Sequence, residues 1–542
     1  MALQKEWWQT AVFYQIYPRS FKDSTNNGVG DLPGIISKLD YLADLGIDAI
    51  WFSPFFPSPQ ADFGYDITDY GAIHPEYGTM DDFDELLVGC HNRGIKVILD
   101  MVLNHTSDQH PWFLESKTSQ DNPRHDWYVW QDGRGKKGRN PPNNWRAMVG
   151  GSAWEWSDER KQFYLHQFLT CQPDLNWRNH AVQEAMFDHL RFWLDKGVDG
   201  FRLDIIHTVF EDKEFRDNPR SWHIFPSDNS NEALLQKPVH TQFLPETIDL
   251  CVSLREIVDS YSPPRVLVGE AQGGVHLFKP LYGSSANGLN MVFNFEFSKL
   301  PFNAKRFGEV IQSTEKALPD PYWPCYVFSN HDVPRMISKH GNNEQKAKLL
   351  VLLLLTLRGT PFIYYGEEIG LQNVNIPKQR RKDPLAHHRV WGIPIGRFFG
   401  RDGCRTPMQW TNDDVCAGFS DPPVRPWLPV GNNSQKNVLD QLNDNRSMLE
   451  YYKRLLRLRK DSLPLKQGLL TLVEQKNSDI LMFERSFGEQ SVIVVLNFSS
   501  KQKKLEIYHS GNQILFSTHG RQGMLDTGEK FCLQEFEGLI IK

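Results

Sequence analysis

Cysteine is scarce in this chain. Its 542 residues include seven, Cys90, Cys171, Cys251, Cys325, Cys404, Cys416 and Cys532, dispersed, odd in number and without a Cys-x-x-Cys pair. That pattern excludes a disulfide framework and reads as reduced thiols in a cytosolic enzyme. Long apolar runs are missing too. The best, Leu349 to Leu357, is far too short to span a bilayer, and Met1 to Trp8 has no basic segment leading into an apolar stretch, so no signal peptide is expected. Charge of one sign is not in excess. The net charge of −6 arises from mixed signs without long runs, which leaves no basic patch for nucleic acid and no reason for an anionic membrane as partner. Repeats and low-complexity tracts are absent as well. The expectation is a cytoplasmic protein, monomer or homodimer, whose partner is a small molecule.

The chain contains ample material for a core. Hydrophobic residues make up 40% and charged residues 23%, which excludes general disorder, and the length suits a large barrel plus an extra domain. Aromatics reach 12%, with 16 Trp. Each serves packing by default; a sugar-binding site would also use them, because the C–H face of a pyranose packs on a ring.

Eight short apolar runs recur: Val12–Tyr17, Ala49–Phe52, Val97–Val102, Gly200–Ile205, Val266–Gly269, Met291–Phe295, Tyr326–Phe328 and Pro361–Tyr365. Continuous apolar strands are buried on both faces, as in a parallel sheet. Amphipathic helices lie between several of them, one marked by Val182, Met186, Leu190 and Trp193, another by Ile35, Leu39, Leu42 and Ala43. Alternation of eight strands with helices favours a closed (β/α)8 barrel over an open sheet. A barrel over residues 1–104 and 179–462 is interrupted by a lid over 105–178, rich in Trp, Gly, Asn and Pro, after the third strand. An irregular Pro- and Arg-rich insertion occupies about 371–410. From 463 to 542 the pattern becomes short alternating segments, read as an antiparallel β-sandwich.

The chemistry of such a barrel sits at the C-terminal ends of its strands. Those ends offer Asp100 with Asn104 and His105, Arg202 with Asp204, Glu270, and His331 with Asp332; the loop after the second strand adds Tyr65 and Asp66. One Asp after a strand is ordinarily a turn or cap. Five strand ends sending charge to one mouth is costly unless the charges are paired and used. Carboxylates flanked by His and Arg point to glycoside hydrolysis, which needs one carboxylate as nucleophile or base and another kept protonated as acid. Arg202 lies two residues before Asp204, on the same side of a strand, and should keep it ionised; Glu270 has no neighbouring cation in sequence, which suits the acid. His105 and His331 can donate to sugar hydroxyls.

Asp100-Met-Val-Leu-Asn104-His105, Gly200-Phe-Arg-Leu-Asp204, Gly269-Glu270 and Phe328-Ser-Asn-His-Asp332 resemble, in order, the four principal motifs of the α-amylase clan, glycoside hydrolase family 13. Gln172-Pro-Asp-Leu-Asn176 and Gly400-Arg-Asp-Gly-Cys-Arg-Thr-Pro-Met-Gln-Trp410 resemble segments of its oligo-1,6-glucosidases and α-glucosidases. The resemblance runs from Trp7 to about Arg459. It implies that Asp204 is the nucleophile, Glu270 the acid and base, facing it across ~5–5.5 Å as in retaining enzymes, and Asp332 the group holding the 2- and 3-hydroxyls. Arg202, His105 and His331 would hold the nucleophile and the reacting glucose, Tyr65 would stack beneath it, Phe168 would line the entrance, and Asp66 with Arg401 would wall off the non-reducing end.

No catalytic cofactor is expected. Asp23, Thr25, Asn27, Val29 and Asp31 alternate oxygen donors with glycines and suit a structural Ca2+ or Mg2+; the related glucosidases look similar here, although many carry Asp where this chain has Asn27. The implied function is an exo-acting α-glucosidase on short α-glucosides, with transglucosylation. The alternatives are a transferase or isomerase of the same fold (a trehalose synthase or sucrose isomerase) and, against three retained carboxylates, an inactive binding subunit. In resembling enzymes Thr after the nucleophile goes with α-1,4 activity and Val with α-1,6; Ile205 is closer to Val.

Overall fold

The computed structural model describes residues 5–224, 230–387, 389–390, 393–394, 400–412, 415–431, 436–505, 513–525 and 531–542. Eight parallel strands form a closed barrel: β1 Phe13–Ile16, β2 Ala49–Phe52, β3 Lys96–Met101, β4 Gly200–Leu203, β5 Val266–Gly269, β6 Met291–Asn294, β7 Cys325–Val327 and β8 Thr360–Tyr364. Each pairs with its neighbours in sequence, and β8 closes on β1 through Phe13 opposite Phe362. They are the eight apolar runs, with ends shifted by one or two residues. The Gly200–Ile205 run stops as a strand at Leu203, because Asp204 and Ile205 turn into the loop above it.

Strand alternation divides the core in two. Inward residues such as Phe13, Trp51, Ile98, Val268, Phe293 and Phe362 fill the barrel. Outward residues such as Tyr14, Ile50, Leu99, Leu267 and Ile363 pack on the helices. The helix His180–Asp195, capped by Asn179, buries Val182, Met186, Leu190 and Trp193, the stripe read from sequence. The stripe from Ile35 to Ala43 is two short helices, Leu32–Ile36 and Leu39–Leu45. They part at Ser37, whose hydroxyl donates back to Gly34 O at 2.6 Å and competes with the helical ladder.

From Leu349 to Leu355 the helix Glu344–Thr356 is apolar on every side because it is buried on every side: it packs on the helix Met448–Asp461 and on the C-terminal sheet. No helix among the described residues is long and apolar enough to cross a membrane. The residues between β3 and the helix starting at His180 carry a three-stranded antiparallel sheet of Trp130–Gln131, Gln162–Leu165 and Trp154–Ser157 over a core containing Trp145, Trp154 and Phe163. After β8 the irregular insertion holds short turns at Lys378–Arg380, Pro384–His387 and Asp402–Cys404; residues 388, 391–392 and 395–399 of it lie outside the described residues. The C-terminal region is a six-stranded antiparallel sheet faced by a two-stranded ribbon, Lys503–Leu505 with Phe531–Leu533. Leu505 and Leu533 of the ribbon bury against Met482, Val495 and Leu539 of the sheet.

Candidate active site

At the C-terminal end of the barrel the inward positions change from apolar to charged. Asp100 on β3 and Arg202 on β4 are register partners, so their side chains meet inside the barrel, where Arg202 Nη1 donates to Asp100 Oδ1 at 2.7 Å. The same nitrogen donates to Asp204 Oδ1 at 2.6 Å, and Nη2 contacts Glu270 Oε2. Asp204 and Glu270 each lie one residue past a strand and continue the ladder, through Asp204 N to Met101 O and Glu270 N to Leu203 O. One fully buried guanidinium thus grips three carboxylates. Glu270 has no cation beside it in sequence, and Arg202, 68 residues away, reaches it across the barrel mouth. Arg202 favours the ionised form of Asp204, and other groups oppose it. Burial pushes the Asp204 carboxyl well up, Arg202 pulls it down, and Glu270 and Asp100 push it up again. A hydrogen bond with Glu270 raises the Asp204 carboxyl further.

Asp332 has the opposite surroundings. Burial works against its ionisation, but the guanidiniums of Arg401 and Arg405 hold it far below the usual carboxylate range. Arg401 Nη1 donates to Asp332 Oδ1 at 2.9 Å and Arg405 Nη2 at 2.8 Å. His331 Nε2 lies 3.1 Å from Asp332 Oδ2 and 2.7 Å from the Tyr65 hydroxyl. Burial pushes the His331 ring well down, and that of His105 down to about 3, so both stand neutral as hydrogen-bonding groups. The Tyr65 ring stacks on His331 with centroids 5.3 Å apart, and its hydroxyl donates to Asp100 Oδ2 at 2.9 Å. Across the site, six carboxylates (Asp62, Asp100, Asp204, Glu270, Asp332, Asp383) share three guanidiniums. The surplus of negative charge favours retention of a proton and a cationic transition state.

These groups surround a cavity of about 290 Å³. Asp204, Glu270, Asp332, Tyr65, His105, Phe168 and Arg401 all line it, while Arg202 and His331 lie fully buried behind them. Asp66 does not. From the loop after β2 it is Asp62 that meets Arg401, with Nη2 to Oδ1 at 2.8 Å, and the expected Asp66–Arg401 pair does not form. Asp66 is turned back into its own loop, accepting from Ser58 Oγ at 2.8 Å, Ala61 N at 2.9 Å and Asp62 N at 3.0 Å. It braces the loop that aims Asp62. The turn between the two acids runs through Phe63 (φ 51°) and Gly64 (φ 105°), both left-handed, and Gly64 was the available sequence signal for it.

Asp383 clamps Arg401 from the other side, Oδ1 accepting from Nη2 at 2.9 Å. Gln172 bridges the lid to the wall through Asp62 Oδ2 at 3.3 Å and His105 Nε2 at 3.1 Å. Asp62, Asp383, Arg405 and the role of Gln172 all escaped the sequence reading. The cavity lining contains no Trp among the described residues; Trp145 and Trp154 stack on each other inside the lid instead.

Ile205 follows Asp204 at φ 36°, ψ 38°. A β-branched residue there is strained, a cost tolerated mainly at functional sites. The turn sends its side chain into the cavity wall.

The Asp23–Asp31 loop lies apart from this site. Asp23 Oδ2 accepts from Gly28 N at 2.8 Å and Ser420 Oγ at 2.6 Å; Asp31 accepts from Ser24 N at 2.9 Å and caps the next helix at Gly34 N. Asn27 Oδ1 accepts from Val29 N at 2.8 Å. No cluster of three or more His, Cys, Asp or Glu arranged for a metal occurs among the described residues. Yet Asp23 and Asp31 are both buried, and neither has a Lys or Arg partner among the described ion pairs. Two buried carboxylates with an amide, a hydroxyl and a carbonyl are a donor set that fits a hard cation.

The pattern of the alpha amylase catalytic domain matches residues 15–468. A probable alpha-glucosidase of Rhizobium meliloti (strain 1021) is 42% identical over 518 residues, spanning 93% of this chain and 91% of that protein. An oligo-1,6-glucosidase of Parageobacillus thermoglucosidasius is 38% identical over 547 residues, 95% of this chain and 94% of that one. The crystal structure of the alpha-glucosyl transfer enzyme XgtA superposes with a TM-score of 0.91 at 39% identity, over 99% of both chains.

Proposed function

The chain belongs to the α-amylase family of glycoside hydrolases, and within it we propose an exo-acting, retaining α-glucosidase that releases glucose from the non-reducing end of short α-glucosides. The observation that carries this reading is the convergence of Asp204, Glu270 and Asp332 on one cavity walled by the Asp62–Arg401 pair. In the first step an Asp204 oxygen attacks C1 of the glucose. The bond from C1 to the leaving oxygen breaks, and Glu270 gives that oxygen its proton. In the second, a water oxygen attacks C1 from the vacated side, Glu270 takes the water proton, and Asp204 leaves as a carboxylate. The contact of both carboxyls with one guanidinium supports the short separation of a retaining pair, whereas an inverting pair would stand ~6.5–9.5 Å apart to admit a water. Asp332, held ionised, faces the developing oxocarbenium charge and accepts from the ring hydroxyls.

Transfer to an alcohol in place of water is the second reading, favoured by the likeness to XgtA, an alpha-glucosyl transfer enzyme. We infer a cytoplasmic monomer or homodimer, in keeping with the lack of any disulfide among the described residues. Product analysis on maltose, isomaltose, sucrose and trehalose tests the proposal. Glucose should be the first sugar released, and starch should turn over more slowly than maltose. Maltose or maltotriose as first products from starch would contradict a walled pocket.

Ile205 gives no hydrogen bond to the leaving sugar and fills more space than Thr, which tilts preference away from maltose. Ile205→Thr keeps a β-branched residue in the strained turn and adds a hydroxyl. It should raise the maltose-to-isomaltose ratio of kcat/KM about 10-fold, the scale of one such group in a subsite. An unchanged ratio removes Ile205 from linkage choice.

A structural cation in the Asp23–Asp31 loop is part of the same proposal. Asp23, Thr25, Asn27, Val29 and Asp31 would hold it, neutralising two buried carboxylates far from the chemistry. Calcium added after chelation should raise Tm by a few degrees through binding to the native state; an unchanged Tm at millimolar Ca2+ contradicts the site.

A further inference from the structure

The cavity has two chemically different halves. Its base, from the barrel strand ends, the loop after β2 and Arg401 of the insertion, is charged: Asp62, Asp204, Glu270, Asp332 and Arg401. Its mouth is apolar. The lid supplies Met148, Val149 and Leu169, the insertion supplies Pro384 and Leu385, and Ile205 joins them from the turn after β4. All but Ile205 are half-buried, as the rim of an open site is. Phe168 adds a ring against His105, with centroids 5.4 Å apart. Gln272 and Gln172 are the amide side chains among the described lining residues, and Gln172 is fully buried against Asp62 and His105, which leaves Gln272 the more exposed of the two.

A second sugar ring on the leaving-group side would bring several hydroxyls to that mouth, where Gln272 is the half-buried amide among the described lining residues. An apolar wall gains affinity in proportion to the apolar surface it covers, and it rejects a hydroxylated ligand only weakly. We propose that the leaving-group side is built for an apolar aglycone, an alkyl or aryl alcohol α-linked to glucose, with sugars accepted less well. This rests on the glucosidase reading and names its substrate class.

The test is kcat/KM for methyl, propyl and hexyl α-D-glucopyranoside, whose leaving alcohols differ little in acidity. Slope therefore reports contact with the mouth and not leaving-group chemistry. Wild type should gain about two- to fourfold per methylene over the first few carbons, the scale of a buried CH2, and at least about tenfold from methyl to hexyl. Leu169→Asn and Leu385→Asn should each lower the hexyl-to-methyl ratio. That ratio is internal to each variant, so a general loss of activity does not mimic it, and the wild-type series stands alone should a variant not fold. A flat or falling wild-type series overturns the proposal. If maltose still yields glucose in that case, only the aglycone class falls. If no α-glucoside is cleaved, the glucosidase reading falls with it.

Discussion

Asp204→Asn should lose activity by on the order of 10^4-fold or more in kcat, the scale on which one member of a catalytic unit registers, with the fold retained. The change removes charge and leaves volume nearly unaltered. Asn can still accept from Arg202 Nη1, the contact that Asp204 Oδ1 makes at 2.6 Å, so the barrel mouth has no reason to rearrange. What is lost is an oxygen nucleophile able to form an ester with C1. Turnover of maltose together with Tm separates the two effects. A variant that turns over near the wild-type rate sinks the nucleophile assignment; a variant with a collapsed Tm tests only stability.

The second large effect belongs to the pocket wall, where two neighbouring acids have different roles. Asp62→Asn should raise KM and lower kcat together, by on the order of 10^2-fold in kcat/KM, because misplacing the bound sugar by about 1 Å costs that much. Its Tm should move little. Asp66→Ala should instead lower Tm. It strips acceptors from Ala61 N, Asp62 N and Ser58 Oγ, and each buried donor left unpaired costs about 1–3 kcal/mol. Equal kinetic and thermal effects at the two positions would contradict the assignment of the wall to Asp62.

That pair also shows what sequence could and could not carry. The barrel was legible because strands buried on both faces leave unbroken apolar runs. Period-two alternation then puts Arg202 and Asp204 on one side. The same alternation, with the register of Asp100 against Arg202, places the interior salt bridges. Loops have no such period. Asp62 and Asp66 flank a left-handed turn at Phe63–Gly64, and nothing in their spacing says which faces the cavity. The grip of Arg202 on Glu270 was hidden for a related reason: it joins strands that are adjacent in the barrel but 68 residues apart in the chain. Asp383 and Arg405 come from an insertion without periodicity, where only the fold brings them to Arg401 and Asp332.

The central claim is a double displacement through the Asp204–Glu270 pair, and the anomer of the first-formed sugar tests it most directly. Proton NMR followed from the moment enzyme meets methyl α-D-glucopyranoside should show α-glucose first, with the β-anomer appearing only at the rate of mutarotation. β-Glucose as the first product would mean a single inverting displacement by water and would contradict the account.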